Sequence, residues 1–182
     1  MHVYQIQKNR AIPVKTKDKV YVMKVSLLDK PNIVREVHLK GNISLYGATR
    51  IFLTSFGFYF DHCFGYYSAL KGSIKDSKEA YELFADLDDL PEGPVVPHAK
   101  GVQKIKIRQV FSPTKKMRLL FDYGDDWEFL VECLDVIDPL IDELYPKITA
   151  RKGSSPVQYP CYEETCVDHD SCRCFLADEE IT

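Results

Sequence analysis

The segment 121-FDYGDDWEF-129 constrains the fold most, because it joins two runs in which large apolar side chains recur at every second position. Residues 116–123 and 127–134 both show this period of two, which is typical of half-buried β-strands. We predict a β-hairpin with the three-residue loop 124–126, because that register puts both apolar stripes on one face. A two-residue loop would instead set Glu128 against the apolar stripe.

The acids of this hairpin carry like charge that has to be offset. The predicted register pairs Tyr123 with Trp127 and places Asp122 opposite Glu128, and like charges that face each other destabilise a sheet. Three interpretations stay open: a turn in which Asp side chains cap backbone N–H groups, a divalent-cation site with oxygen ligands, and an acidic recognition edge. The ligands of the cation site would be Asp122, Asp125, Asp126 and Glu128.

Further strand and helix patterns precede the hairpin. Alternating apolar residues predict three strands, which cover residues 20–28, 33–39 and 62–70. Apolar residues at helical spacing predict a helix over 44–57, with Ser44 as its N-cap and Gly57 at its C-terminal end. A second, shorter amphipathic helix is predicted over 76–87, with Ser77 as its N-cap.

Length and composition fit one compact domain with an appendage, since the chain has 182 residues of which 45% are hydrophobic. We expect a domain over residues 1–160 and a Cys-rich, acidic tail over 161–182. The N-terminus lacks the pattern of a signal peptide, and no apolar run approaches the ~18–20 residues of a membrane helix. These features predict a cytoplasmic protein without membrane contact. The formal net charge of -3 gives no global bias toward nucleic acid.

The C-terminal tail concentrates thiols around His169. Four thiolates suffice for one tetrahedral zinc ion, although the paired CxxC spacing of most zinc knuckles is absent. A thiol-bearing tail without metal, or disulfides in an oxidising or thermophilic cell, are the alternatives. The candidate zinc ligands are Cys161, Cys166, Cys172 and Cys174.

A basic stretch runs from Lys100 to Leu120 and contains no acid. Most charge runs are solvated faces, but such a stretch also fits the electrostatic footprint of a polyanion. Residues 102–111 within it fit either a strand or a helical turn. The candidate nucleic-acid-binding residues are Lys104, Lys106, Arg108, Lys115, Lys116 and Arg118.

The hairpin block resembles the YDFGDDWEH motif of the Ri-plasmid open-reading-frame-three-like proteins, which are also found as passengers of insertion elements. The run 33-IVREVHL-39 is similar to the family's second strand, which a basic residue precedes. The run 56-FGFYFDHCFGYY-67 is similar to its FGW and SHLH elements, with His62 at the first His position. Residues 145–159 are similar to its YPR-to-PPED segment.

This resemblance covers residues 18–160 and implies an α+β fold, an antiparallel sheet with packed helices of the roll type. It implies a function that is not established. The chain departs from the family at several motif positions, so a catalytic site that needs both His groups would be incomplete here. The departing positions are Phe58, Phe64 or Gly65, Phe129 and residues 156–159.

Three functions follow from these residues. The primary hypothesis is a non-enzymatic binding or accessory protein, associated with nucleic acid or mobile elements. The alternative is a metal-dependent hydrolase, in which a His and carboxylates hold a divalent metal and activate water; its candidate residues are His62, Asp122, Asp126 and Glu128. The third is a protein–protein interaction module. No phosphate-cradling loop or nucleophile elbow occurs in the sequence.

Overall fold

The computed structural model describes residues 19–87 and 93–160, which form one antiparallel sheet with few helices. The strands are β1 (Val20–Leu27), β2 (Val34–Lys40), β3 (Phe64–Tyr67), β4 (Ala80–Glu82), β5 (Lys116–Phe121), β6 (Trp127–Ile137) and β7 (Lys147–Lys152). The helices of this part of the chain are α1 (Leu45–Ser55) and the single turn α2 (Ile107–Val110). The strand order is β4-β3-β5-β6-β1-β2-β7. In outline this confirms the predicted α+β class. The zinc prediction for the tail lies outside the described residues.

One face of the sheet is buried because its strands alternate as the sequence predicts. In β1, Tyr21, Met23, Val25 and Leu27 all lie in the core. β2 pairs with β1 antiparallel, as predicted. The core residues that β5 and β6 add are Met117, Leu119, Phe121, Phe129, Val131 and Cys133.

Helix α1 lies on this core and matches its prediction closely. The side chain of Ser44 accepts a hydrogen bond from the backbone N–H of Gly47 at 3.1 Å, which is an N-cap interaction. Phe52 and Leu53 are fully buried. Gly57 has a φ of 78°, the left-handed conformation that ends a helix at little cost in glycine. Among the described residues no helix is long and apolar enough to cross a membrane.

The β5–β6 hairpin has the predicted faces but a longer loop than predicted. The structure pairs Phe121 with Trp127 and Leu119 with Phe129, so the loop spans residues 122–126 instead of 124–126. This register differs from the predicted one by two residues, which keeps every side chain on its face. The predicted opposition of Asp122 and Glu128 is therefore wrong.

The predicted helix over 76–87 is also wrong. The structure has two 3₁₀ turns, Ile74–Asp76 and Leu83–Asp86, with strand β4 between them. β4 pairs with β3, so Ala80 and Tyr81 gain a sheet partner that a helical pattern in the sequence does not reveal. Ser77 is buried and its hydroxyl accepts a hydrogen bond from the N–H of Ala69 at 3.1 Å, instead of capping a helix.

Arg35 connects three segments from inside the fold. It lies on the core side of β2 and is only 4% exposed. Its Nε donates to the carbonyl of Ser55 at 2.9 Å, and its guanidinium carbon lies 4.6 Å above the ring of Phe56. The other acceptors of the guanidinium are the carbonyls of Val34, Lys152 and Gly153 and the hydroxyl of Ser155. Arg35 thus fixes the end of α1 and the segment after β7 to β2.

A second buried polar group organises the other end of the sheet. Glu82 is fully buried, and its two carboxylate oxygens accept from the N–H groups of Val95 and Val96 at 2.7 and 2.9 Å. The hydroxyls of Tyr67 and Tyr123 lie 2.6 Å apart. Burial raises the pKa of Tyr67, and Tyr123 and Glu82 raise it further.

Candidate functional site

The acidic loop 122–126 is built by its own backbone and side chains. Asp122 and Asp126 both have positive φ, 58° and 53°, a conformation that Asp tolerates better than most residues. Oδ1 of Asp122 accepts from the N–H groups of Gly124 and Asp125 at 3.0 and 3.4 Å. The carbonyl of Asp122 accepts from the N–H of Asp126 at 2.8 Å. For Asp122, the structure shows the capped turn among the three interpretations.

Glu128 is neutralised separately. It lies opposite Leu120, and its carboxylate pairs with the guanidinium of Arg118 on the neighbouring strand. The base that offsets its charge was therefore present in the same hairpin, one diagonal step away.

His62 bridges the acidic loop and the segment before β3. Its Nδ1 lies 3.0 Å from Oδ1 of Asp61, and its Nε2 lies 3.4 Å from Oδ2 of Asp122. Asp122 itself is fixed against β3, because its N–H donates to the carbonyl of Cys63 at 3.0 Å. The structure thus brings together His62 and Asp122, which the sequence could only pair as a hypothesis.

The segment 156–160, here named the arm, closes this cluster from the C-terminal side. The hydroxyl of Tyr159 donates to Asp61 at 3.0 Å and lies 3.3 Å from Nδ1 of His62. Gln158 is buried, and its amide accepts from the N–H of Tyr59 at 2.6 Å and donates to the Tyr159 hydroxyl at 2.9 Å. Two side chains of the arm therefore dock on the segment 59–62.

The electrostatics of the cluster favour a charged imidazole. The hydrogen bond to Asp61 raises the pKa of His62, against a smaller effect of burial, and the charge of Asp122 raises it further. Burial alone would raise the pKa of Asp61, but hydrogen bonds from His62 and Tyr159 outweigh it and hold that pKa below its ordinary value. His62 and Asp61 consequently stabilise each other as an ion pair.

An open cleft lies beside this cluster. It has a volume of about 590 Å³ and is lined by Lys30, Asp125, Trp127 and the arm; we call it the Trp127 cleft. The Trp127 ring stands edge-on to Phe58, with their ring centroids 4.7 Å apart. A smaller cleft of about 340 Å³ adjoins it and shares Asp125 and Trp127; we call it the acidic cleft. Its other lining residues are Asp29, Asp126 and Glu128.

The residues suggested for a metal site separate in the structure. His62 and Asp122 meet, whereas Asp126 lines the acidic cleft and Glu128 pairs with Arg118. Within residues 19–87 and 93–160, no group of three or more His, Cys, Asp or Glu side chains is arranged to hold a metal ion.

The candidate nucleic-acid-binding residues divide into two sets. Lys115, Lys116 and Arg118 form ion pairs inside the domain, with the partners Glu79, Glu132 and Glu128. Lys104 and Arg108 are exposed and Lys106 is half-buried; in the described part of the chain none of these three forms an ion pair. They follow the segment 41–46, to which the backbone of residues 102–108 is hydrogen-bonded.

Sequence reasoning missed Asp61, Gln158 and Tyr159. Asp61 is adjacent to His62, so its acid was visible as a neighbour but not as a partner. The arm lies about a hundred residues away in sequence, with 97 positions between Tyr159 and His62. Only the matching YPR-to-PPED segment pointed to that region.

Comparison with known proteins places the chain among proteins without an assigned activity. The sequence profile of the family described as plasmid pRiA4b ORF-3-like protein matches residues 19–159. The crystal structure of MM3350, a protein of unknown function from Methanosarcina mazei Go1, is similar with a TM-score of 0.60 and 20% sequence identity, over 75% of this chain and 72% of that one. At that identity the likeness concerns the fold alone. No functionally curated protein matches the chain.

Proposed function

The chain belongs to the plasmid pRiA4b ORF-3-like family, and from that premise and the geometry of its cleft we propose that it is a non-enzymatic binding protein. The ligand site is the Trp127 cleft. Three finer predictions accompany this proposal: a roll-type sheet with packed helices, a cytoplasmic location, and an accessory role connected with mobile elements.

The observation that carries the proposal is the engagement of His62. Both of its ring nitrogens lie within 3.4 Å of a carboxylate oxygen. A general base or a metal ligand needs a ring nitrogen with a free electron pair, and an imidazolium held between two carboxylates has none. This geometry favours a structural role, in which His62 joins the arm to the acidic loop and so shapes the wall of the cleft. It weighs against the metal-dependent hydrolase.

His62 should titrate above the ordinary His pKa of about 6.5. Since the folded-state pKa is raised, the pair stabilises the fold below pH ~6.5, and this contribution is lost as the pH rises through the folded-state value. Ring-proton NMR of the wild-type chain should give a pKa above 6.5 for His62, and Asp61→Asn should lower it toward 6.5.

A His62 pKa at or below 6.5, or one that Asp61→Asn leaves unchanged, would contradict the clasp and favour the hydrolase. A metal titration gives a second readout. Divalent cations should raise the melting temperature of the wild type no more than that of Asp122→Asn, because a ligand stabilises only a state that it binds.

Nucleic-acid binding is a second candidate, and one observation favours it. The charges of Lys104, Lys106 and Arg108 are not taken up by ion pairs within the described ranges, and they follow one edge of the fold beside the segment 41–46. Such a row of exposed bases can neutralise phosphates and release counterions. The structure thereby narrows the candidate set from six bases to these three.

Duplex DNA or RNA should bind with an affinity that falls with salt. In Lys104→Gln/Lys106→Gln, the slope of log K against log salt should decrease by about two, roughly one for each phosphate contact. The matched variant Lys115→Gln/Lys116→Gln removes the same charge from ion-paired positions and should change the slope by less than one. No binding by the wild type at low salt, or equal effects in the two variants, would exclude this candidate.

A further inference from the structure

Building on the proposed binding function, we propose that the Trp127 cleft and the acidic cleft together bind a lysine- or arginine-bearing segment of a partner polypeptide. This inference adds the chemical class of the ligand to the site. It follows from the charge of the two clefts, from the side chains that form their walls, and from their size.

The charge of the clefts is unbalanced. In the described part of the chain, the carboxylates of Asp125 and Asp126 form no ion pair and accept no hydrogen bond, although the backbone around them is fully organised. Lys30 is the one base among the lining residues; its Nζ lies 3.9 Å from Asp29, and both side chains are exposed. An exposed pair of this kind interacts weakly. The loop therefore presents fixed negative charge to whatever occupies the clefts.

The walls suit the other half of a basic side chain. Trp127 and Tyr159 are half-buried, and Pro156, Val157 and Pro160 complete the apolar part of the Trp127 cleft. Lysine and arginine bury their methylene stems on apolar surface while the charged end stays at an acid. A guanidinium or ammonium is also attracted to the face of a Trp ring. The clefts combine both surfaces around Trp127 and Asp125.

The dimensions favour a polypeptide over a bare cation. A volume of about 590 Å³ is in the range of sites for organic ligands, and the acidic cleft extends it past Asp125. The indole N–H of Trp127 is buried and meets no acceptor among residues 19–87 and 93–160. A bound peptide brings main-chain carbonyl acceptors, which a simple amine lacks.

Intrinsic fluorescence tests this directly, because Trp127 is the single Trp of the chain. The probes are two acetylated and amidated hexapeptides, one alternating Ala with Arg and the other alternating Ala with Glu, added to the full chain. The Arg peptide should change the emission saturably, and the Glu peptide should not. Asp125→Asn/Asp126→Asn should weaken binding of the Arg peptide about fivefold or more, and Lys30→Gln should tighten it about twofold.

The matched control is Asp76→Asn/Asp142→Asn, which removes the same charge from exposed positions outside the two clefts. Asp142 also shares the positive φ of Asp126, so the two double variants carry the same backbone change. The control should alter the affinity by less than twofold. Equal weakening in the control would show non-specific attraction and would overturn the proposal.

Two further outcomes would overturn it while leaving the binding function in place. An equal response to the Glu peptide would retain the cleft as a site but exclude the cationic class. An unchanged emission with both peptides, in a protein whose His62 titrates as expected, would leave the clasp intact and exclude a basic segment as its ligand. Failure of the proposed function itself is read separately from the His62 titration.

Discussion

Arg35→Ala should lower the free energy of unfolding by about 3 kcal/mol or more, because it removes a buried side chain whose acceptors have no other donor. The carbonyls of Ser55, Lys152 and Gly153 would lose their charge-assisted hydrogen bonds, and the ring of Phe56 would face a cavity. Chemical denaturation of the two proteins measures the difference. Arg35→Lys should recover only part of it, because an ammonium cannot reproduce the planar fork of a guanidinium.

Arg151→Ala is the matched control for this prediction. Arg151 is the register partner of Arg35 on β7, but its side chain is exposed. Its removal should change the stability by no more than about 0.5 kcal/mol. If the two alanine variants were equally stable, the interior position of Arg35 would not be what holds the end of α1 and the segment after β7 together.

Glu82→Ala should cost a further large amount, about 3 kcal/mol, because two buried N–H groups would lose their shared carboxylate. Hydrogen exchange localises the effect: the amides of Val95 and Val96, which donate to Glu82, should exchange much faster in the variant. Glu82→Gln should be intermediate, since an amide offers one acceptor oxygen and its NH₂ group faces the second N–H.

The neighbouring acid Glu79 provides the comparison. It pairs with Lys115 at 2.7 Å, and its side chain is 37% exposed. Glu79→Ala should cost about 1 kcal/mol or less, in the range of a surface ion pair. A loss as large as that of Glu82→Ala would mean that burial of the carboxylate is not the cause. Unchanged protection of Val95 and Val96 in Glu82→Ala would contradict the assignment directly.

The hairpin shows which part of a sheet can be predicted from a sequence. Side-chain parity assigns Phe121 and Phe129 to the core correctly, because the buried face requires it. Parity cannot distinguish two registers that differ by an even number of residues. The choice between them depended on Asp122 and Asp126 adopting positive φ, a property that Gly signals clearly and Asp only weakly.

The segment 76–87 shows why local pattern fails where a tertiary partner decides. Its acidic and apolar residues fit one face of a short helix, yet Ala80 and Tyr81 pair with Tyr67 and Tyr66 of β3. Edge pairing and the burial of Glu82 outweigh a helical preference that amounts to tenths of a kcal/mol per residue. Nothing near Glu82 in sequence names its acceptor role, because Val95 and Val96 arrive from a later loop.

The candidate site was predictable in part for the same reason. The block around Asp122 identified the loop, and the resemblance identified His62, but their contact depends on the pairing of β3 with β5. The arm was hidden further, because Gln158 and Tyr159 act through single hydrogen bonds to residues about a hundred positions earlier. Such contacts leave no periodic trace in a sequence.

The two outer strands of the sheet bear on how the protein behaves at high concentration. β4 has three residues and its free side is covered by a backbone bridge to Lys100. β7, at the opposite end, carries Lys147, Arg151 and Lys152. Short or positively charged outer strands resist extension of the sheet by another chain. A second molecule that approached β7 in the same way would meet repulsion, so the fold disfavours self-association into fibrils.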